Sequence, residues 1–152
     1  MQNQTVGRPM EILLIEDSLP AARLAMAALK RGGIEHRLTW ISDGDEASRF
    51  LHQEGHYARA PHPDLVLLDL MLPGRDGRVL LTELRDVPEL AEVPVVVMTG
   101  TASEEQALGQ EHLDVQGFLT KPVDLEKFLV LVERLKDYWK TDMILPTAVK
   151  TA

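Results

Sequence analysis

Short apolar runs alternate along the chain with longer stretches in which apolar residues recur every three or four positions. The predicted strands cover about 10–16, 36–41, 65–69, 95–98 and 115–120, and those at 10–16, 65–69 and 95–98 are nearly uninterrupted apolar runs. Uninterrupted runs of this length are typical of strands buried on both faces, whereas the longer stretches have the period of amphipathic helices. Five strands that alternate with five helices predict a single α/β domain, a doubly wound parallel sheet with helices on both faces.

Capping residues and glycines set the limits of the predicted helices. In the first helix Asp17 or Ser18 is the N-cap, and Gly32-Gly33 ends the helix. The second helix begins at Asp43-Gly44 and is expected to end at Gly55. The other helices are predicted over about 77–86, from about 103, and over about 125–140. The residues expected to face the core are Ala21, Leu24, Ala25, Ala28 and Leu29, then Val79, Leu80, Leu81 and Leu84, then Leu125, Phe128, Leu129, Val132 and Leu135.

The composition limits the cellular environment and the classes of partner that we expect for this protein. The 152 residues predict a polar tail over 1–9, one domain over 10–140 and a second tail over 141–152. There is no cysteine, and no apolar stretch approaches the roughly 18 residues that span a bilayer. We therefore expect a cytoplasmic protein that does not enter membranes. The net charge of −8 argues against nucleic acid as a direct partner, because phosphate binding needs a basic surface.

Polar residues follow four of the predicted strands. Glu16-Asp17 follow the first strand, Asp69 ends the third, Thr99 follows the fourth and Lys121 follows the fifth. The carboxyl ends of parallel strands share one edge of the sheet, so these groups can converge. Two carboxylates about 4 Å apart repel by about 4 kcal/mol at an effective dielectric near 20, and Mg²⁺ removes that repulsion. Carboxylates, Mg²⁺, a lysine and a threonine suit the transfer of a phosphoryl group to an aspartate oxygen.

These residues resemble the receiver domain of two-component response regulators. The motifs that carry the resemblance are Glu16-Asp17, Asp69 with the following hydrophobe and Pro73, Asp76-Gly77, Thr99-Gly100 and Lys121-Pro122. The spacing agrees as well, because Thr99 lies 30 positions and Lys121 52 positions after Asp69. The resemblance covers about residues 10–140, and it implies the flavodoxin-like sheet order 2-1-3-4-5.

The resemblance implies roles for the acidic residues. Asp69 would accept a phosphoryl group from a histidine of a sensor kinase. Asp17 and Asp69 would ligate Mg²⁺ together with the backbone carbonyl of Met71, and Glu16 would act through a water molecule. The apolar side chain of Met71 would lie near the phosphoryl group, where we expect it to slow the attack of water.

The resemblance also implies a switch at the neighbouring strands. Lys121 would pair with Asp69 and then with the phosphoryl oxygens, while Thr99 would move to hydrogen-bond the phosphoryl group. Phe118 would turn inward when Thr99 moves, although its position also suits an ordinary core residue. The sequence contains no recognisable output domain, so we expect the signal to pass through changed protein–protein contacts. No enzymatic activity is expected beyond phosphotransfer onto the chain itself and loss of that phosphoryl group.

A narrower resemblance concerns the partners. The sequence is similar here to single-domain regulators that partner bacterial and cyanobacterial phytochromes, in the loop at 56–61, the segment LDLMLPGRDGR and the residues Asp137-Tyr138-Trp139 and Ile144-Leu145-Pro146. The similarity implies a bacteriophytochrome as the sensor histidine kinase. Leu131 and Tyr138 lie off the centre of the core stripe of the last helix, so we also expect a homodimer through this helix and the neighbouring face.

Other classes of protein fit the sequence less well. An Mg²⁺-dependent aspartyl-phosphate hydrolase needs a second acid two residues after its nucleophile, where this chain has Met71. A flavin carrier of similar fold needs a loop rich in Gly, Ser and Thr after the first strand, where this chain has acids. A receiver-like interaction module that is never phosphorylated stays open as an alternative.

Overall fold

A parallel sheet of five strands in the order β2-β1-β3-β4-β5 forms the centre of the protein. The computed structural model describes residues 8–99, 117–120 and 124–138. The strands and helices are β1 Met10–Ile15, α1 Leu19–Arg31, β2 His36–Ile41, α2 Gly44–Leu51, β3 Leu65–Asp69, α3 Gly77–Asp86, β4 Val95–Thr99, β5 Gly117–Thr120 and α4 Leu125–Tyr138. The predicted fold class and strand order are confirmed. The helix predicted from about 103 lies outside the described residues.

The sheet separates two apolar clusters, and each central strand contributes to both. In β1, Ile12 and Leu14 pack with α1 and α4, whereas Leu13 and Ile15 pack with α2 and α3. Successive side chains of a strand point to opposite faces, so a strand with helices on both sides has to be apolar throughout. This is why the central strands read as uninterrupted apolar runs in the sequence.

Helix α1 begins and ends at the residues that its capping pattern indicates. Of the two candidate caps it is Ser18 that acts, with its hydroxyl accepting a hydrogen bond from the N–H of Ala21. Gly32 ends the helix where α4 approaches closely, because a Cβ built at Gly32 would lie 2.1 Å from a methyl group of Val132. One inward position differs from the prediction, since Ala22 is buried and Ala21 is half-buried.

Helix α2 ends at Leu51, four residues before the predicted stop at Gly55. Gln53 takes a left-handed conformation with φ of 55°, and its side chain donates a hydrogen bond to the carbonyl of Ala60 at 2.6 Å. Tyr57 then holds the following loop against the helix, because its hydroxyl donates to the Glu46 carboxylate at 2.6 Å. Side-chain contacts across the loop therefore end the helix earlier than its glycine does.

Two apolar side chains differ from the prediction in whether they face the core or the solvent. Val79 in α3 is 48 % exposed instead of facing the core, and Leu131 in α4 is buried in the core instead of forming part of a partner face. The rest of α4 follows the prediction: Asp124 caps it through the N–H of Lys127, and Phe128, Val132 and Leu135 are buried. No helix in the described ranges is long and apolar enough to cross a membrane.

Candidate functional site

Three carboxylates meet where β1 and β3 end. The two strands pair in parallel with Ile15 opposite Leu68, which brings the residues after Ile15 beside Asp69. One carboxylate oxygen each of Glu16, Asp17 and Asp69 lies within 4.8 Å of the other two. Glu16 and Asp69 are 1 % and 0 % exposed, whereas Asp17 is exposed. The predicted convergence of these acids forms an acidic pocket at one edge of the sheet.

Main-chain N–H groups orient the two buried carboxylates. The N–H of Met71 donates to Oδ1 of Asp69 at 2.9 Å, and the N–H of Ser18 donates to Oε2 of Glu16 at 3.1 Å. Each donor lies two residues after the acid that it holds, so the turn that follows each strand sets the direction of the side chain. The pocket is therefore ordered by the local chain as well as by the pairing of the strands.

The acidic pocket fits a hard divalent cation. All three side chains supply oxygen, and carboxylate oxygens are ligands that Mg²⁺ and Mn²⁺ prefer. Negative charges this close repel one another strongly at a partly buried site unless a positive charge lies among them. The exposed Asp17 leaves one member of the cluster in contact with solvent, so the cluster is open to an ion from solution.

The loop between β3 and α3 continues from the pocket and packs tightly against its surroundings. The N–H of Gly77 donates to the carbonyl of Leu70 at 3.2 Å, and a Cβ at Gly77 would lie 2.6 Å from the Leu70 Cα. The N–H of Gly44, the first residue of α2, donates to the carbonyl of Pro73 at 3.0 Å. Only glycine fits at position 77, and together the two main-chain bonds hold the chain around Met71 beside Asp69.

Arg75 ties the same loop to α2 and α3 through charged contacts. Its guanidinium contacts Asp45 at 3.2 Å and Ser48 at 3.2 Å, and it also pairs with Glu83. Partial burial acts to raise the pKa of Glu83, but hydrogen bonds from Ser48 and Arg75 outweigh it and lower that pKa. The hydrogen bond to Glu83 likewise raises the pKa of Arg75. The pair is therefore charged at neutral pH and holds the loop in place.

The structure describes the other predicted site residues only in part. Thr99 ends β4, one residue beyond Met98, which pairs with Asp69 across the strands. Thr99 therefore lies at the same edge of the sheet as Asp69, while its side chain lies outside the described part. Phe118 lies in β5, and its side chain is likewise outside the description. Lys121 lies outside the described residues altogether.

One residue that contacts the site was missed in the sequence analysis. Trp40 of β2 donates a hydrogen bond from its indole N–H to the main-chain carbonyl of Glu16 at 2.6 Å. The sequence pattern indicated only that Trp40 lies on a short strand. A tryptophan in such a position usually needs a partner for its N–H, and that was the available signal.

Comparison with known proteins identifies the class to which this fold and pocket belong. Residues 12–133 match the response regulator receiver domain, and the chain belongs to this family. The chain is 39 % identical over 140 residues to the response regulator Rcp1 of Synechocystis sp., which covers 92 % of this chain and 95 % of Rcp1. The predicted family, and the likeness to phytochrome response regulators within it, are confirmed.

Two solved structures extend the comparison. The phosphorylated cyanobacterial phytochrome response regulator RcpA is 36 % identical with a TM-score of 0.77, covering 92 % of this chain and all of RcpA (100 %). The Mn²⁺-bound form of Rcp1 is 38 % identical with a TM-score of 0.74, covering 95 % of this chain and 100 % of Rcp1. The chain is thus similar in fold and in sequence to regulators solved in phosphorylated and metal-bound forms.

Proposed function

We propose that this receiver domain is a phosphoacceptor response regulator, in which Asp69 receives a phosphoryl group and the change alters protein–protein contacts. The observation that carries the proposal is the placement of a fully buried Asp69 at the end of β3, within 4.8 Å of the carboxylates of Glu16 and Asp17. A buried carboxylate among other carboxylates is costly for folding alone. Its retention in this pocket favours a chemical role.

The transfer step uses the Asp69 carboxylate as the nucleophile. Oδ2 of Asp69 attacks the phosphorus of a phosphohistidine on the kinase, an O–P bond forms, and the P–N bond to the imidazole breaks. The imidazole leaves with the electron pair of that bond and takes up a proton. Oδ1 accepts the N–H of Met71 at 2.9 Å, and this bond holds the carboxylate in one orientation during the attack.

Mg²⁺ is the proposed cofactor. Asp17, Asp69 and the main-chain carbonyl of Met71 would hold the ion directly, and Glu16 would hold it through water. Bound there, the ion neutralises the carboxylates and the phosphoryl oxygens that would otherwise repel each other. The Mn²⁺-bound form of the relative Rcp1 supports a divalent cation in this pocket.

The switch is proposed to use the neighbouring strands. Thr99 would hydrogen-bond the phosphoryl group and Lys121 would pair with its oxygens, so both contacts exist only in the phosphorylated state. Such differential contacts shift an equilibrium between two conformations, and Phe118 would follow Thr99 inward. The place of Thr99 at the same sheet edge as Asp69 supports this part of the proposal.

A sensor histidine kinase of the bacteriophytochrome type is the proposed donor, in the cytoplasm. The support is the similarity to RcpA and Rcp1, of which RcpA is a phytochrome response regulator.

Incubation with acetyl phosphate or phosphoramidate and Mg²⁺ tests the acceptor chemistry without the kinase. Intact mass is expected to show one added phosphoryl group, and its absence with both donors would contradict the proposal.

Met71 is expected to lengthen the life of the phosphorylated form. Its side chain is 65 % exposed directly after the Asp69–Leu70 pair, and an apolar group there cannot orient a water molecule for attack. Met71→Asn supplies a hydrogen-bonding side chain at the same place, so the phosphoryl group should be lost several times faster. The half-life of the phosphorylated form after removal of the donor, followed by intact mass, measures the rate of loss. Val79→Asn, at an exposed position of α3, is the control. Equal half-lives in wild type and Met71→Asn would show that Met71 does not shield the site.

A homodimer through the last helix is the proposed assembly. Leu131 is part of the core, but Val130 beside it is 54 % exposed and offers an apolar contact on the outer surface of α4. Val130→Lys is therefore expected to shift the protein toward the monomer in light scattering at high concentration, with or without a phosphate analogue. The control substitution Arg134→Lys, on the same helix, should leave the molar mass measured by light scattering at the wild-type value. A wild-type monomer under both conditions would refute the dimer.

A further inference from the structure

Trp40 reaches the acidic pocket from the edge strand of the sheet. Its indole N–H donates to the carbonyl of Glu16 at 2.6 Å, while the N–H of Glu16 donates to the carbonyl of Ile41 at 3.1 Å. The last paired residues of β1 and β2 are Ile15 and Ile41. Strand β2 therefore holds both the N–H and the carbonyl of Glu16, which lies one residue beyond the last paired residue of β1.

The bond from Trp40 acts on the peptide group that joins Glu16 to Asp17. A peptide group is planar, so a fixed Glu16 carbonyl also fixes the direction of the Asp17 N–H and the point where the Asp17 side chain leaves the main chain. Both residues contribute oxygens to the cluster of carboxylates. The bond from Trp40 therefore fixes the main chain between two of the three acids.

The carboxylates themselves oppose this arrangement. Three negative charges within 4.8 Å repel one another, and the exposed Asp17 gains most by turning outward into solvent. A rotation of the Glu16–Asp17 peptide that carried Asp17 away from the other acids would break the bond to Trp40. The ring of Trp40 is half-buried and packs against the apolar cluster beside α1, which holds the N–H in position.

We propose that Trp40 is a positioning residue for the divalent cation site, because it keeps the Glu16–Asp17 main chain in the conformation that gathers the three carboxylates. The inference rests on the proposed function of the pocket and extends it to a strand that supplies no ligand. Preorganised ligands need no rearrangement when the ion binds, so losing the bond weakens metal affinity.

Titration with Mn²⁺ tests the proposal on two matched variants. Trp40→Phe keeps an apolar ring and removes the N–H donor. Tyr57→Phe removes a hydrogen bond of the same 2.6 Å length, to Glu46, away from the pocket. We expect Trp40→Phe to weaken Mn²⁺ binding by about fivefold, as loss of one neutral hydrogen bond would, and Tyr57→Phe to leave it unchanged. Equal affinity in Trp40→Phe and wild type would overturn the proposal, as would an equal loss in Tyr57→Phe.

The rate of phosphorylation separates positioning from general damage. In Trp40→Phe the phosphoramidate reaction should be slow at low Mg²⁺ and should reach the wild-type rate at saturating Mg²⁺. A rate that stays low at saturating Mg²⁺ would point to a damaged site and would overturn the positioning role. If wild type itself binds no Mn²⁺, the proposed function fails; if wild type binds and Trp40→Phe binds equally, only the role of Trp40 fails.

A measurement on the wild-type chain covers the case in which Trp40→Phe does not fold. If the Trp40 bond favours metal binding, metal binding must favour the bond by the same factor, since coupling is reciprocal. The indole proton of Trp40 should then exchange with solvent more slowly in Mg²⁺ than in the metal-free protein. Equal exchange rates in the two conditions would overturn the proposal.

Discussion

Asp69→Asn is expected to abolish phosphorylation by acetyl phosphate or phosphoramidate in the presence of Mg²⁺. Asn has the shape of Asp, and its amide oxygen still accepts the N–H of Met71, but it carries no negative charge to attack phosphorus. The variant should therefore fold normally and show no added mass, while the wild type gains one phosphoryl group. Intact mass spectrometry of both proteins under the same conditions provides the measurement.

The control for this experiment is a second aspartate at the same end of the sheet. Asp43 caps α2 through the N–H of Glu46 at 3.0 Å and lies outside the cluster of three carboxylates. Asn is as good an N-cap as Asp, so Asp43→Asn should fold and accept the phosphoryl group like the wild type. Labelling of Asp69→Asn at the wild-type level would move the acceptor elsewhere. No labelling of the wild type would favour an interaction module that is not phosphorylated.

Asp17→Asn is expected to weaken Mg²⁺ and Mn²⁺ binding by at least about tenfold, because changes around metal ligands commonly cost that much and this change removes a charged ligand. The variant should also be the more stable protein when metal is absent. The substitution removes the repulsion from two carboxylates within 4.8 Å, which amounts to about 1–3 kcal/mol per pair at effective dielectrics of about 20–80. Mn²⁺ titration and urea unfolding in EDTA measure the two effects.

Added Mg²⁺ should reverse the order of stability. An ion that binds only the folded state stabilises it by mass action, and the wild type gains more than Asp17→Asn at the same concentration. The wild type is therefore expected to be less stable than the variant in EDTA and more stable in saturating Mg²⁺. Asp76→Asn, which keeps the cap of α3, should follow the wild type in both conditions. Unchanged Mn²⁺ affinity in Asp17→Asn would remove Asp17 from the metal site.

Local patterns predicted most of the fold because the determinants of each element lie close together in the chain. The apolar run at 65–69 is a strand buried on both faces, and Ser18 and Gly32 bound α1 as the capping preferences of Ser and Gly indicate. The sheet order came from the resemblance to receiver domains, since a hydrophobic pattern alone does not say which strands are neighbours.

The wrong predictions share a cause, which is that packing outside the helix itself decides where each helix ends and which side chains it buries. Val79 has the apolar character of a core residue, yet its place on α3 turns it to solvent, whereas Leu131 is drawn into the core. The glycine at 55 suggested the end of α2, but the contacts of Gln53 and Tyr57 across the loop end it four residues earlier. The periodicity of apolar residues within one helix contains no information about contacts with residues outside that helix.

The order of residues along the chain was enough to place the acids at one edge of the sheet, because a carboxylate at the end of an apolar strand in a parallel sheet can reach only that edge. How close the acids come, and what holds them, depends on how the strands pair. The register of β1 against β3 sets the 4.8 Å grouping of Glu16, Asp17 and Asp69, and the register of β2 against β1 brings Trp40 to the Glu16 carbonyl. Apart from the neighbours Glu16 and Asp17, these distances join residues more than twenty positions apart, where the pairing of strands and not local preference fixes the geometry.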